Sequence, residues 1–477
     1  MDFGVYSIDP GAVIDFFSSR GSWEIIFDLF AIGGWLIFVF LLTFAGLFMY
    51  WVYRGKKYTH NWKWALLAID IPPLNVQTPK AVEQLFAHIA GAYYHPDIAE
   101  KFHEGFRQRF FSFEIISIEG YIQFLIWTEE TFRDLVEAAV YAQYPDAEIT
   151  EVEDYTKAIP DSFPNSEYDI WAADFALTQG DGLPIRTYRE FEHSISKDTV
   201  LKDPMGTFLE SFSRIGPGEQ MWFQIILEPI GNSWKEGVIK EVKEIIGEKS
   251  EQGGGRNFLD KLIDSPVTLL EKVGDQVFSR EASPVAEPQK NEPPNKIMYL
   301  TPGQKVIVEA MEEKISKVGF KTKMRGIYSA RKEVFTPTRG INALLGAINQ
   351  FNIPSANSIA KALTTDVSYF FKDRIIKHRK NLLMGAYKKR KMLAGASPFI
   401  LNIEELATIW HFPMSHVKTP LVQKAGSKRA EPPSGLPVED INNAAMPSLT
   451  EVSKEEKSEK KAYRTDSGDV FLGDDLG

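Results

Sequence analysis

Residues 111–127 read FSFEIISIEGYIQFLIW. Two runs rich in β-branched and aromatic residues flank Ile118-Glu119-Gly120, where Gly120 can supply the positive φ of a tight turn. The stretch predicts a β-hairpin. Upstream, residues 64–71 (WALLAIDI) form a strand candidate closed by Pro72 and Pro73. Thr78 can then cap a helix whose first turn holds Pro79 and which runs to about Ala92. Its apolar residues Val82, Leu85, Phe86 and Ile89 recur at threes and fours, the mark of one buried face. Downstream, Thr128 can cap a helix over residues 130–143, stopped by Tyr144-Pro145-Asp146. Residues 147–152 (AEITEV) make a closing strand. The order β-α-β-β-α-β predicts a ferredoxin-like module over residues 62–157, two helices covering one face of a four-stranded antiparallel sheet.

Sheets of this kind can bind RNA through exposed aromatics, and Phe111, Phe113, Tyr121 and Phe124 offer that reading. The pattern K/R-G-F/Y-G/A-F-V-x-F/Y is missing, which favours core and sheet-face roles for them. A looser version of the same order follows over residues 165–351. Residues 168–178 and 220–228 are strand candidates, with a helix from Pro204 capped by Asp203 between them. Asn232-Ser233 starts a further helix. Residues 249–297 then interrupt the pattern with Gly253-Gly254-Gly255 and a proline-rich, apolar-poor run, between which residues 258–278 are amphipathic. Order resumes at Thr301-Pro302 with a helix, a strand over residues 320–328, and a helix at residues 340–351 expected to pack on them. The chain is thus expected to be α+β, with two ferredoxin-like modules, the second carrying an insertion. An irregular α+β lobe is the alternative for the second.

Ahead of both modules, residues 29–52 read LFAIGGWLIFVFLLTFAGLFMYWV without a charge. As a helix they rise roughly 36 Å, enough to cross a hydrocarbon core of about 30 Å with some tilt. Tyr50, Trp51 and Tyr53 stand where an aromatic belt belongs. Asp2, Asp9, Asp15, Glu24 and Asp28 precede the run against a single Arg20, and Arg54, Lys56, Lys57 and Lys63 follow it. The positive-inside rule then places residues 1–28 outside, residues 29–53 across the membrane and the rest in the cytoplasm. A cleaved signal peptide needs a basic start and a shorter core, and a buried core helix seldom has such flanks.

The chain has 477 residues, a net charge of −10 and no cysteine. Disulfides, thiolate metal sites and a cysteine nucleophile are excluded, and a reducing compartment is suited. The 8 histidines form no H-E-x-x-H or other recognised metal pair, no G-x-S-x-G is present, and no cofactor is implied. Glu151, Glu153 and Asp154 cluster at a strand end, where solvation is the usual explanation.

Between residues 352 and 424 lie the two candidate site segments. Residues 370–391 (FFKDRIIKHRKNLLMGAYKKRK) set Lys372, Arg374, Lys377, Arg379, Lys380, Lys388, Lys389, Arg390 and Lys391 against the single acid Asp373. Phe371, Ile375, Ile376, Leu382, Leu383 and Tyr387 suit a partly buried helix. Its basic face can attract DNA phosphates, anionic lipid or an acidic partner, or be merely solvated. Residues 398–413 (PFILNIEELATIWHFP) follow, with Asn402 at an N-cap and Glu405 at N3 of a short capped helix. From 425 onward the chain is polar and is expected to be a disordered tail.

Asn402, Glu404, Glu405, Trp410, His411 and Pro413, with Lys418-Thr419-Pro420-Leu421 and residues 432–437 (PPSGLP), resemble the segment that leads into the motor of bacterial conjugative coupling-protein ATPases of type IV secretion systems. Residues 300–304 (LTPGQ) and 319–323 (GFKTK) resemble the N-terminal region of the same proteins. Residues 136–145 and 151–155 resemble an uncharacterised family of membrane-anchored bacterial proteins. The motor itself is absent: no G-x-x-x-x-G-K-[ST] occurs, so nothing here would cradle nucleotide phosphates. The resemblance implies a non-enzymatic, single-pass protein of the bacterial inner membrane. It would anchor or dock a P-loop ATPase carried on a separate chain, with possible self-association. A general envelope scaffold and a membrane-tethered enzyme of unknown chemistry are the alternatives.

Overall fold

The computed structural model describes residues 30–415, apart from residues 73–74, 194–199, 202, 247–299 and 369, with isolated positions among the first 29. The expected insertion at 249–297, its amphipathic stretch 258–278 and the tail 425–477 lie outside the described residues, as does most of the segment 1–28.

Helix α1 (Trp35–Thr59) follows a π-helical turn at Phe30–Gly34. It runs past the expected end at Tyr53, because nothing in Arg54-Gly55-Lys56-Lys57 breaks a helix, and hands the chain directly to the sheet. Strand β1 (Trp64–Asp70), α2 (Pro79–Ile89), β2 (Phe111–Ile118), β3 (Tyr121–Glu129), α3 (Arg133–Gln143) and β4 (Glu148–Glu151) make the first half. The hairpin turn falls on Glu119 (φ 55°) and Gly120 (φ 93°), both left-handed, as a two-residue loop between right-twisted strands requires. Thr128 belongs to β3 and does not cap α3, which is entered through a 3₁₀ turn at Glu130–Phe132.

The second half comprises β5 (Tyr168–Leu177), α4 (Pro204–Ser213), β6 (Glu219–Pro229), α5 (Ser233–Ile246), α6 (Pro302–Ser316), β7 (Gly319–Arg331), α7 (Pro337–Asn349) and β8 (Ile359–Thr364). Asp203 caps α4 by accepting from the Met205 N–H, and Thr301 and Gln304 close a capping box on α6. The sequence pattern ended this half at residue 351. Instead β7 is its third strand, α7 its second covering helix, and β8 the fourth strand. Strand β8 escaped notice because it lies at the sheet edge with three successive exposed residues, Ala360, Lys361 and Ala362, and so lacks an alternating pattern.

The two halves are joined edge to edge. They share one antiparallel sheet in the order β8-β5-β7-β6-β2-β3-β1-β4. Within each half the strands lie fourth, first, third, second, and the two second strands, β2 and β6, join edge to edge from Phe111↔Leu227 to Ile118↔Gln220. One half is therefore the mirror in order of the other across that seam. A ninth strand, β9 (Phe399–Asn402), pairs with the start of β7 and leads into α9 (Ile403–Ile409).

Both faces of the sheet are covered. On one, α2, α3, α4, α7 and α9 bury Phe86, Phe113, Phe124, Phe208, Phe223 and Trp410 among others. Phe111, Phe113 and Phe124 are thus core residues and only Tyr121 is exposed, which removes the RNA-stacking reading of this face. On the other face α8 (Lys372–Lys388) and residues 154–163 cover Leu66, Ile116, Ile170, Trp222 and Ile327. Helices α5 and α6 pack on each other through Val238, Val242, Val308 and Met311.

Candidate functional site

Helix α1 presents Phe38, Phe40, Leu42, Phe44, Leu47 and Met49 to the surroundings, and none of its most apolar stretch is buried against the rest of the chain. It is long and apolar enough to cross a membrane. Its last turns are a different matter. Gly55 is buried against the Arg107 side chain, and the Arg107 guanidinium lies over the Trp51 ring at 3.9 Å. The Arg54 Nε donates to the His103 carbonyl. Gly105 (φ 77°) brings its backbone against that of Arg54 and Gly55, too close for any side chain. Beyond α1, Trp62 meets Trp64, which stacks on Trp127 at 3.6 Å, while the Arg109 guanidinium covers Trp62 at 4.1 Å. The membrane-length helix is thus clamped to the sheet by one segment, residues 103–110.

The nine cations expected on the basic helix divide into two sets. Arg390 is buried; its Nε donates to Glu114 at 3.1 Å and its other nitrogens to Asp154 and Glu114. Glu114 also accepts from Ser112 (2.6 Å), Gln224 (2.9 Å) and Tyr155 (2.8 Å), and Tyr155 meets Tyr387 at 2.9 Å, so a buried polar network sits on the β2–β6 seam. Burial pushes the Tyr155 and Tyr387 hydroxyls well up, and the Glu114 charge adds to it. Burial alone would raise Asp154, but the Arg390 guanidinium and Thr156 hold its carboxyl below the usual carboxylate range. Lys380 pairs with Asp169, Lys388 with Asp161, and Arg379 donates to the Thr364 carbonyl at 2.9 Å.

Lys372, Arg374, Lys377, Lys389 and Lys391 are exposed. Phe371, expected to be part of the buried stripe, is 81% exposed in a left-handed conformation (φ 62°), and Phe370 beside it is 90% exposed. The buried stripe keeps the expected Leu383 and Tyr387 and adds Met384 and Ala386. Of the acids read as solvated, Glu151 and Glu153 are exposed, Glu151 meeting Arg133 at 2.6 Å, whereas Asp154 is half-buried and paired with Arg390.

The junction motif lies in the core. The Asn402 side chain accepts from the Glu405 N–H at 2.8 Å while Glu405 accepts from the Asn402 N–H at 2.9 Å, the expected capping box. Glu405 also meets Lys314 at 3.2 Å, both fully buried, and accepts from the Ile185 N–H at 3.0 Å. Glu404 pairs with Arg189 (3.2 Å) and Lys317. Trp410 packs edge-on against Phe86, Phe113 and Phe124. His411 Nε2 lies 2.8 Å from Asp203, and Nδ1 lies 2.7 Å from the Ala407 carbonyl. Burial would raise Asp203, but His411 and the Met414 and Met205 N–H groups hold it below the usual range. The Pro413 carbonyl accepts from Asn75 at 3.1 Å. The motif therefore ties the second half to α2 of the first.

Two apolar pairs were not read as exposed in the sequence: Phe370 with Phe371, and Ile98 (80% exposed) with Phe102 (55%). Each is a large apolar pair beside charges, but periodicity alone assigns such residues to a core. Among the described residues no group of three or more His, Asp and Glu side chains converges as a metal site. A family model described as a domain of unknown function (DUF8128) matches residues 97–425, more than half of the chain. No curated protein matches it.

Proposed function

We propose, for a chain that belongs to the DUF8128 family, a non-enzymatic role as a membrane-anchored docking platform. The observation that carries this reading is α1: its apolar length is left uncovered while its last turns are clamped to the sheet. Lipid is the medium that accepts such a surface, and a helix satisfies its own backbone there. Removal of α1 as a leader would strip Arg107 and Gly105 of their partners, which supports an uncleaved anchor. Arg54, Lys56, Lys57 and Lys63 after the span favour the sheet in the cytoplasm and the N-terminus outside, at the bacterial inner membrane. The repeated fourth-first-third-second strand order supports reading the halves as two ferredoxin-like modules fused at their second strands.

The platform's partner, by the resemblance of residues 300–304, 319–323 and 402–413 to coupling proteins, is a P-loop ATPase on another chain of a type IV secretion-like machine. Lys372, Arg374 and Lys377, exposed beside Phe370 and Phe371, are the surface on which DNA or anionic lipid phosphate would be met. Self-association would multiply that surface.

The test is capture of the detergent-solubilised full chain from its native cells, with the bound chains identified. Recovery of a nucleotide-binding ATPase in good yield supports the platform in transport. Recovery of envelope proteins alone, with no ATPase, sinks the transport reading in favour of a scaffold.

A further inference from the structure

We infer that the turn carrying Ile98 and Phe102 is a second, interfacial membrane contact that fixes how the sheet stands on the bilayer. This rests on the reading of α1 as a membrane anchor. The π-helical turn Glu100–Glu104 is entered through Ile98 and ends at Gly105. Ile98 and Phe102 are four residues apart, so they share one side of that turn. Both are exposed, at 80% and 55%, with Tyr94 beside them also exposed.

The clamp sets their depth. The apolar run of α1 from Trp35 to Tyr53 rises about 28 Å, close to a hydrocarbon core, so Arg54 falls at its boundary. His103 and Gly105 are held against Arg54, and Arg107 reaches Trp51, about 4.5 Å further toward the core. The turn is therefore held at headgroup level, where interfacial apolar side chains insert about 5–10 Å.

Of the acids here, Asp97 and Glu104 are exposed and can keep their carboxylates in the headgroup layer. The Glu100 carboxylate is occupied, accepting from the Tyr94 hydroxyl at 2.8 Å and the Asp97 N–H at 2.9 Å. Insertion is then driven by apolar area and needs no anionic lipid.

The chain has no cysteine, so a single introduced thiol can be labelled cleanly. Full-length Ile98→Cys and Leu42→Cys, each carrying an environment-sensitive fluorophore, would be reconstituted into neutral phosphatidylcholine vesicles. The vesicles would be doped with a phospholipid spin-labelled either shallow or deep in its acyl chain. The label at position 98 should lose most of its emission to the shallow quencher and little to aqueous iodide; that at position 42 should respond to the deep quencher. If position 42 behaves so and position 98 is quenched by iodide alone, or by neither agent as in a protein contact, the interfacial inference is overturned and the anchor stands. If iodide quenches both, the anchor reading falls as well.

Discussion

Arg390 and Lys372 belong to one basic run and do opposite things. Arg390 lies among Glu114, Asp154 and the ring of Trp127, 5.1 Å below its guanidinium, and faces no solvent. Its replacement, Arg390→Met, strands the fully buried Glu114 carboxylate, a loss on the order of 3–5 kcal/mol. Urea unfolding of the solubilised chain should show it, while Lys372→Ala should stay within about 0.5 kcal/mol of the parent. Asp203 gives the pH counterpart. Its carboxyl is held below the ordinary value, near 4, by His411 and two backbone N–H groups. Over the acid range the unfolded chain therefore binds more protons, and stability rises with pH. The contribution is complete above about pH 4 and disappears as the pH falls through the depressed folded value. Asp203→Asn should flatten the acid limb of a stability–pH profile. An unchanged slope would mean that Asp203 has no part in it.

At the level of elements, α9 is the best case of what sequence does and does not disclose. Its capping box was legible, because Asn402 and Glu405 stand at fixed spacing and the chemistry is local. Its place was not: that Glu405 meets Lys314, or Trp410 meets Phe113, depends on contacts far along the chain. The same holds for the sheet. The hairpin β2–β3 and most helices could be read from turn residues and apolar spacing. Fusion at β2–β6 could not, since Gln224 opposite Glu114 leaves no periodic trace, nor could the exposed edge strand β8. Of the basic helix the charge and part of the buried face, Leu383 and Tyr387, were visible. Which cations are paired depends on where Asp161, Asp169 and Glu114 arrive. The two kinds of contact should differ in energy. Asn402→Ala removes a cap and should cost about 1 kcal/mol, whereas Trp410→Ala opens the core between the halves and should cost about 3–5 kcal/mol. Equal losses in chemical denaturation would contradict a keystone role for Trp410.

For the whole molecule the decisive joint is between α1 and the sheet. The connection through residues 60–63 is short, but a short linker alone does not stop two bodies from rocking. Rigidity comes from the clamp, and within it from Gly105, whose φ of 77° is the left-handed region and whose added Cβ would stand 2.4 Å from the Arg54 carbonyl carbon. The three nearest atoms there, two of Arg54 and one of Gly55, are all backbone, so no side chain can rotate away to make room. At Gly55, by contrast, an added Cβ meets the mobile end of Arg107. Gly105→Val should therefore free the turn from α1 while leaving the sheet intact, because Gly105 lies outside every strand and helix of the core. Spin labels on Leu42→Cys and Tyr121→Cys, one in α1 and one at the start of β3, read the joint directly. The parent should give a narrow distance distribution and Gly105→Val a broad one, with the same far-ultraviolet circular dichroism. A distribution as narrow in Gly105→Val as in the parent would place the rigidity elsewhere, in the Trp62–Trp64–Trp127 stack, and Trp62→Ala would then be the variant that broadens it.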